Sequence, residues 1–310
     1  MIMKQTILFA IIFALFLMPC LAQEKRTQTK TVKTVTVLSS NVCGAVKFQS
    51  DEAHKYFNQG FQLSRERRFE ESAKALEQAI ALNPEKCDAF VILSYVYREL
   101  GRYSDAANRA QKAIKLAPNS SMAYHNYGSA LMHLNRYAEA AKSFETAIEL
   151  HPQRKQSQVS LSWAYLELNR FQEAADMAKE AIELFPTSGM AHNNYGYAQI
   201  HLKQYSEAEA YLKKAIEFDP KIKQPYVNLS FLYLQMERFE DAAEQARITI
   251  QYFPQHAMAY NNLGYALTRM GKYDEAIVAL KKALEIDPTL EKARVNLALV
   301  YQSTGQNVPQ

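Results

Sequence analysis

Apolar and small positions recur along most of this chain in one fixed order: an aromatic, a small residue three positions on, a second small residue seven later, and a proline five further still. The prolines are Pro84, Pro118, Pro152, Pro186, Pro220, Pro254 and Pro288, each 34 positions from the next. The aromatics are Phe69, Tyr103, Tyr137, Phe171, Tyr205, Phe239 and Tyr273, followed by Ser72, Ala106, Ala140, Ala174, Ala208, Ala242 and Ala276. The second small residues are Ala79, Ala113, Ala147, Ala181, Ala215, Thr249 and Ala283. Such spacing places all of them on one stripe of a helix, and the proline cannot continue that helix. An earlier helix in each period carries apolar residues at helical spacing, as in Tyr124, Tyr127 and Leu131, and ends at a residue tolerant of the left-handed conformation: Gly101, Asn135, Asn169, Gly271 or Gly305. Small residues at Gly60, Ser94, Gly128, Ser162, Gly196, Ser230, Gly264 and Ala298 let the two helices of a period approach closely. The pattern predicts antiparallel helix hairpins that stack on one another.

The units fall at 53–86, 87–120, 121–154, 155–188, 189–222, 223–256 and 257–290, with a capping helix at 291–302 and a tail at 303–310. Ser50 is placed to cap the first helix, with Asp51 and Glu52 in its first turn, where the helix dipole favours acids. The signature of a large residue, Leu-Gly, Tyr, Ala, an aromatic, Ala and Pro resembles the tetratricopeptide repeat, and the match covers residues 53–301, about four-fifths of the chain. The first unit departs most from it, with Gln59 and Ser72 at positions that usually hold Leu or Tyr and Ala. The resemblance implies an all-α fold, a right-handed superhelical solenoid of about seven repeats within 51–302.

A longer period of 68 residues lies over the first. Units three, five and seven share the run Met122 to Gly128, Met190 to Gly196 and Met258 to Gly264, whereas units two, four and six share Leu93-Ser94-Tyr95, Leu161-Ser162-Trp163 and Leu229-Ser230-Phe231. In the second helix, Leu76, Phe144, Leu212 and Leu280 alternate with Ala110, Ala178 and Ala246. A pair of hairpins is therefore the expected building unit, the large residues of one filling space left by alanine in the next.

In stacked hairpins of this kind the first helices line the concave side. At position six of the units stand Asn126, Asn194, Asn228, Asn262 and Asn296, and at position nine Tyr95, Trp163, Tyr197, Phe231 and Tyr265. A carboxamide offers a donor and an acceptor side by side, as a peptide bond does, so a row of them can hold an extended chain while the aromatics add apolar contact. The row is similar to the asparagine ladder in the repeats of O-linked N-acetylglucosamine transferases, and the similarity implies peptide binding at these ten residues; nothing here resembles their catalytic domain. The other reading of the asparagines is solubility or local hydrogen bonding. The carboxylate clamp of chaperone-binding relatives needs paired Lys or Arg, and the corresponding positions hold His125-Asn126, Asn193-Asn194 and Asn261-Asn262.

Residues 1–22 read as a signal peptide, with Lys4 before an apolar run and Cys20-Leu21-Ala22 as cleavage site. Export to the periplasm or beyond is the expectation; an uncleaved anchor and an acylated Cys20 are the alternatives. Residues 23–50 form a basic leader rich in Thr, Lys and Val, expected to be mostly disordered, and any membrane contact would lie there or in an uncleaved signal segment. Cys43 and Cys87 remain after cleavage, and both a disulfide between them and two free thiols are open. The formal net charge of +4 carries no strongly basic face of a nucleic-acid binder. No Gly-rich phosphate loop, metal-ligand spacing or nucleophile and base constellation is present, so no catalysis, cofactor or metal is expected. The sequence thus predicts an exported scaffold for a protein or peptide partner, with a structural or non-catalytic subunit of a cell-envelope complex as the alternative.

Overall fold

The computed structural model describes Cys43 and residues 50–305; the expected signal peptide, the rest of the leader and the last five residues lie outside them. The described residues form fifteen α-helices and no strand. They divide into two compact bodies, one of the described residues up to 130 and one of those from 131 on.

The first body holds α1 (Asp51–Arg65), α2 (Phe69–Leu82), α3 (Cys87–Glu99), α4 (Tyr103–Leu116) and the greater part of α5 (Ser121–His133). Ser50 caps α1 as expected, accepting the Ala53 N–H at 3.1 Å, with Asp51 and Glu52 in the first turn. Cys43 and Cys87 form a disulfide, so of the two states left open by the sequence the bonded one is found. It lies in a buried cluster with Phe90, Val91, Ala113, Ala117 and Ala123.

In the second body follow α6 (Tyr137–Leu150), α7 (Lys155–Glu167), α8 (Phe171–Leu184), α9 (Gly189–His201), α10 (Tyr205–Phe218), α11 (Gln224–Gln235), α12 (Phe239–Tyr252), α13 (Ala257–Arg269), α14 (Tyr273–Ile286) and α15 (Glu291–Thr304). Within this body α7, α9, α11 and α13, each the first of its repeat, pair with the even-numbered helix that follows, and α7, α9, α11, α13 and α15 also pack successively on one another. The unit is an antiparallel hairpin, as the 34-residue pattern predicts.

The hairpin turn requires a left-handed residue whatever the side chain. Positive φ occurs at Gly101, Asn135, Asn169, Gly271 and Gly305, as expected, and also at Arg67, Lys203 and Glu237. At those three an L side chain costs roughly 1 kcal/mol, offset by backbone bonds that close the helix end, such as Arg68 N–H to Leu63 O at 3.0 Å and Arg238 N–H to Tyr233 O at 2.9 Å.

The 68-residue alternation is complemented inside each hairpin. A Cβ placed on Gly60 would stand 2.6 Å from Leu76 Cγ, one on Gly196 2.8 Å from Leu212 Cγ, and one on Gly264 2.5 Å from Leu280 Cγ. The large residue thus sits over the glycine of its own hairpin. Serine in the first helix goes with alanine in the second, as at Ser230 and Ala246, both wholly buried.

Candidate peptide-binding site

The asparagines of position six separate into two kinds. Asn126, Asn194 and Asn262 are buried and donate both Nδ2 hydrogens within their own body. Asn126 reaches the Val91 carbonyl at 2.9 Å and Ser94 Oγ at 3.0 Å; Asn194 reaches Val159 O at 3.1 Å and Ser162 Oγ at 2.9 Å; Asn262 reaches Val227 O at 3.4 Å and Ser230 Oγ at 2.8 Å. Each serine hydroxyl is oriented by its own bond to the carbonyl three residues before it, at 2.8 to 2.9 Å. These carboxamides tie the first helix of an odd repeat to that of the even repeat before it, the local hydrogen bonding weighed against a ligand ladder.

Asn228 and Asn296 differ. Each donates Nδ2 backward, Asn228 to Asn193 Oδ1 at 2.9 Å and Asn296 to Asn261 Oδ1 at 2.8 Å. Asn193 and Asn261 pass the chain on to Asn194 Oδ1 and Asn262 Oδ1, each at 3.3 Å. Asn228 and Asn296 end these two chains half-buried, with no hydrogen bond to Oδ1 among the described residues. Asn193 and Asn261 had been noted in the sequence only for the absence of lysine; what marks them is recurrence one position before the buried asparagine.

Six of the ten expected site residues, Tyr197, Asn228, Phe231, Asn262, Tyr265 and Asn296, surround one cavity of about 470 Å³ in the second body. Val227, Leu234, Met258 and Val295 extend its apolar wall, and Gln235, Glu291 and Lys292 stand at the same opening. The wall is backed by packed rings: His201 stacks on Phe171 at 4.1 Å between centroids and meets Tyr197 edge-on at 4.8 Å. Burial pushes the His201 imidazole down, Lys292 adding to the effect, and pushes the Tyr197 hydroxyl up, with Glu167 adding to it.

The remaining expected residues lie elsewhere. Asn194 is sealed in the chain that begins at Asn228. Asn126 and Tyr95 line a different cavity, of about 450 Å³, in the first body. Trp163 lines neither; it is 38% exposed and donates Nε1–H to Glu167 at 2.9 Å. Among the described residues no group of three or more His, Cys, Asp or Glu could hold a metal, and no helix is long and apolar enough to cross a membrane.

Tetratricopeptide repeat family models match residues 62–107, 93–155, 159–221 and 257–290. The fold is similar to that of a tetratricopeptide repeat protein from Parabacteroides merdae, at 16% identity and a TM-score of 0.66 over 81% of this chain and 99% of that one. It is similar also to the Cut9–Hcn1 hetero-tetramer of the APC/C, at 15% identity and a TM-score of 0.66 over 80% of this chain and 46% of that one. A third similar structure is PilW, described as a type IV pilus biogenesis factor, at 18% identity and a TM-score of 0.59 over 66% of this chain and 95% of that one. No curated protein matches the sequence.

Proposed function

Given that the chain belongs to the tetratricopeptide repeat family, we propose that it is an exported, non-catalytic scaffold that binds an extended segment of a partner protein against α9, α11, α13 and α15. The observation that carries this reading is the cavity bounded by Tyr197, Phe231 and Tyr265 with the open carboxamide oxygens of Asn228 and Asn296 at its wall. Its size suits one or two large side chains. Because the Nδ2 groups are already engaged, the asparagines meet a ligand as acceptors, and the partner supplies donors, its backbone N–H groups foremost. Export is supported by the apolar run behind Lys4 with its small-residue cleavage site, and by the disulfide, a bond that persists in oxidising compartments.

The test is capture from the exporting cell followed by titration of the captured segment against Phe231→Ala, Asn228→Ala and the exposed second-helix control Glu180→Ala, with helicity measured in parallel. Loss of the apolar anchor should weaken binding by tenfold or more and loss of the carboxamide by about fivefold; the control should bind as the parent does. Unchanged affinity in both cavity variants would reject the cavity. It would favour the second helices as the contact surface of an envelope complex, where Val278 of α14 is 70% exposed.

A further inference from the structure

The first body holds the cavity of about 450 Å³ noted above, and its chemistry differs from that of the second. Phe61, Ile92, Tyr95 and Met122 form its apolar wall, and two arginines, Arg65 and Arg67, stand beside them. Position six of the repeat is here Ile92, where Asn126 and Asn194 stand in later units, so the wall is more apolar than its counterparts.

The two arginines are set apart by what they lack. Other described arginines are engaged: Arg68 with Glu71 at 2.5 Å, Arg102 with Asp105 at 2.7 Å, Arg136 with Glu139 at 2.6 Å, Arg238 with Asp241 at 2.6 Å, Arg294 with Glu291 at 2.8 Å, and Arg269 over the Phe239 ring at 4.5 Å. Arg65 and Arg67 have no ion-pair or hydrogen-bond partner among the described residues. The carboxylate at the same cavity, Glu99, is bound by Arg98 at 2.7 Å. Outside the described residues the only acidic side chain in the sequence is Glu24.

Arg67 moreover occupies the left-handed turn position, φ 62°, which the next hairpin fills with Gly101. As at Lys203 and Glu237, the turn carries a side chain there, in this hairpin at the edge of an aromatic-walled cavity. A planar guanidinium binds a carboxylate through two parallel N–H donors, and the cavity receives the apolar side chain next to it.

We propose that this cavity is a second, separate binding site, and that it takes an acidic peptide segment in which a carboxylate meets Arg65 and Arg67 while a neighbouring apolar side chain enters between Phe61 and Tyr95. The carboxylate can come from a Glu or Asp side chain or from a chain terminus, and the experiment distinguishes these.

The probes are three short labelled peptides, titrated into the full chain at low and high salt. The first alternates glutamate and leucine with an amidated end, the second replaces every glutamate with glutamine, and the third is the glutamine peptide with a free carboxyl end. The glutamate peptide should bind and weaken with salt, and the amidated glutamine peptide should bind about a hundredfold less tightly. Binding of the third peptide at the level of the first shows that the carboxylate of a chain terminus serves as well as that of a side chain; binding at the level of the second assigns the site to acidic side chains. Arg65→Gln and Arg67→Gly should each lower glutamate-peptide affinity about tenfold. Arg67→Gly copies the residue found at the equivalent turn and should not lower the melting temperature, which separates lost binding from lost fold. Phe231→Ala, in the other cavity, should leave this binding unchanged. No binding of the glutamate peptide, equal binding of the glutamate and amidated glutamine peptides, or undiminished binding in Arg67→Gly would each overturn the assignment.

Discussion

Asn194 donates to Ser162 Oγ at 2.9 Å across the contact between α9 and α7, and Ser162 passes its own hydrogen to the Val159 carbonyl, to which Asn194 also donates. The same triangle joins Asn126 to Ser94 and Val91, and Asn262 to Ser230 and Val227. Serine in one repeat type and asparagine in the other are therefore two halves of one joint, and the 68-residue period is the period of that joint.

Asn194→Ala should lower stability by about 1–3 kcal/mol, because it removes two buried hydrogen bonds and leaves a gap between helices. Ser162→Ala should cost about 1 kcal/mol, the Val159 bond remaining. The double variant should cost less than the sum of the single ones, since each breaks the same joint. Urea denaturation of the four proteins in a cycle measures this. Strict additivity would mean that the triangle is a geometric coincidence.

Gly264→Ala places a methyl 2.5 Å from Leu280 Cγ, in a position where Leu280 is wholly buried and has no room to withdraw. Overpacking of this kind costs roughly 1–3 kcal/mol. Gly264→Ser combined with Leu280→Ala copies the pairing of Ser230 with Ala246 and should recover part of the loss. A double variant no more stable than Gly264→Ala alone would show that the two pairings are not interchangeable modules.

The helices and their order were legible because the proline, aromatic and small-residue spacing is a helical period that no strand satisfies. The cap at Ser50 was legible because a capping hydroxyl and two acids stand together before an apolar stripe. The role of Asn194 was not, since a carboxamide at a first-helix position is equally suited to a peptide and to a neighbouring serine, and the sequence does not say which lies closer. Asn228 shows the limit from the other side: the same residue type at the same repeat position keeps an open oxygen, because the preceding odd repeat presents Asn193 rather than a Val-Ser pair. Left-handed Arg67, Lys203 and Glu237 were missed for a related reason, in that turn geometry set by helix packing overrides side-chain preference.

Acid should weaken the second body before its carboxylates titrate. His192 is buried against Tyr211 and Phe218, with Nδ1 2.9 Å from the Ser188 carbonyl oxygen, and burial holds its pKa below the ordinary value of 6.5; burial also lowers His201 and His256. With folded values below unfolded ones, the unfolded chain takes up protons first. The stability these groups contribute is thus complete above about pH 6.5 and is lost as pH falls through the folded values. Glu139, Glu173 and Asp287, also lowered, act only in the more acidic window below about pH 4.5. Melting temperature should fall between about pH 7 and about pH 5, and His192→Phe should flatten the slope. A parent profile flat over that interval would contradict the assignment.

The disulfide makes a prediction that joins fold, compartment and binding. Cys87 opens α3 between Lys86 and Asp88, whose side chains pair at 2.8 Å while almost wholly buried, and Cys43 completes the apolar cluster behind them. The bond spans a sequence separation of 44 residues, for which loss of chain entropy in the unfolded state corresponds to a stabilisation of about 4 kcal/mol at most. Since each hairpin contacts only near neighbours, this stabilisation is local. Reduction, or Cys43→Ala, should therefore lower the melting transition of the first body and leave that of the second in place, as followed by calorimetry or by hydrogen exchange resolved along the chain. Cys87→Ala should act as Cys43→Ala does, because both remove the bond and a side chain buried in the same cluster. Val91 and Met122 belong both to the cluster around the disulfide and to the lining of the first cavity, so reduction should weaken the glutamate peptide there while sparing ligands of the second. Protein recovered from outside the cytoplasm should be oxidised by mass, whereas the same chain held in a reducing cytoplasm should carry two free thiols and the lower transition. Identical melting of the oxidised and reduced protein would show that the bond does not hold this end of the array.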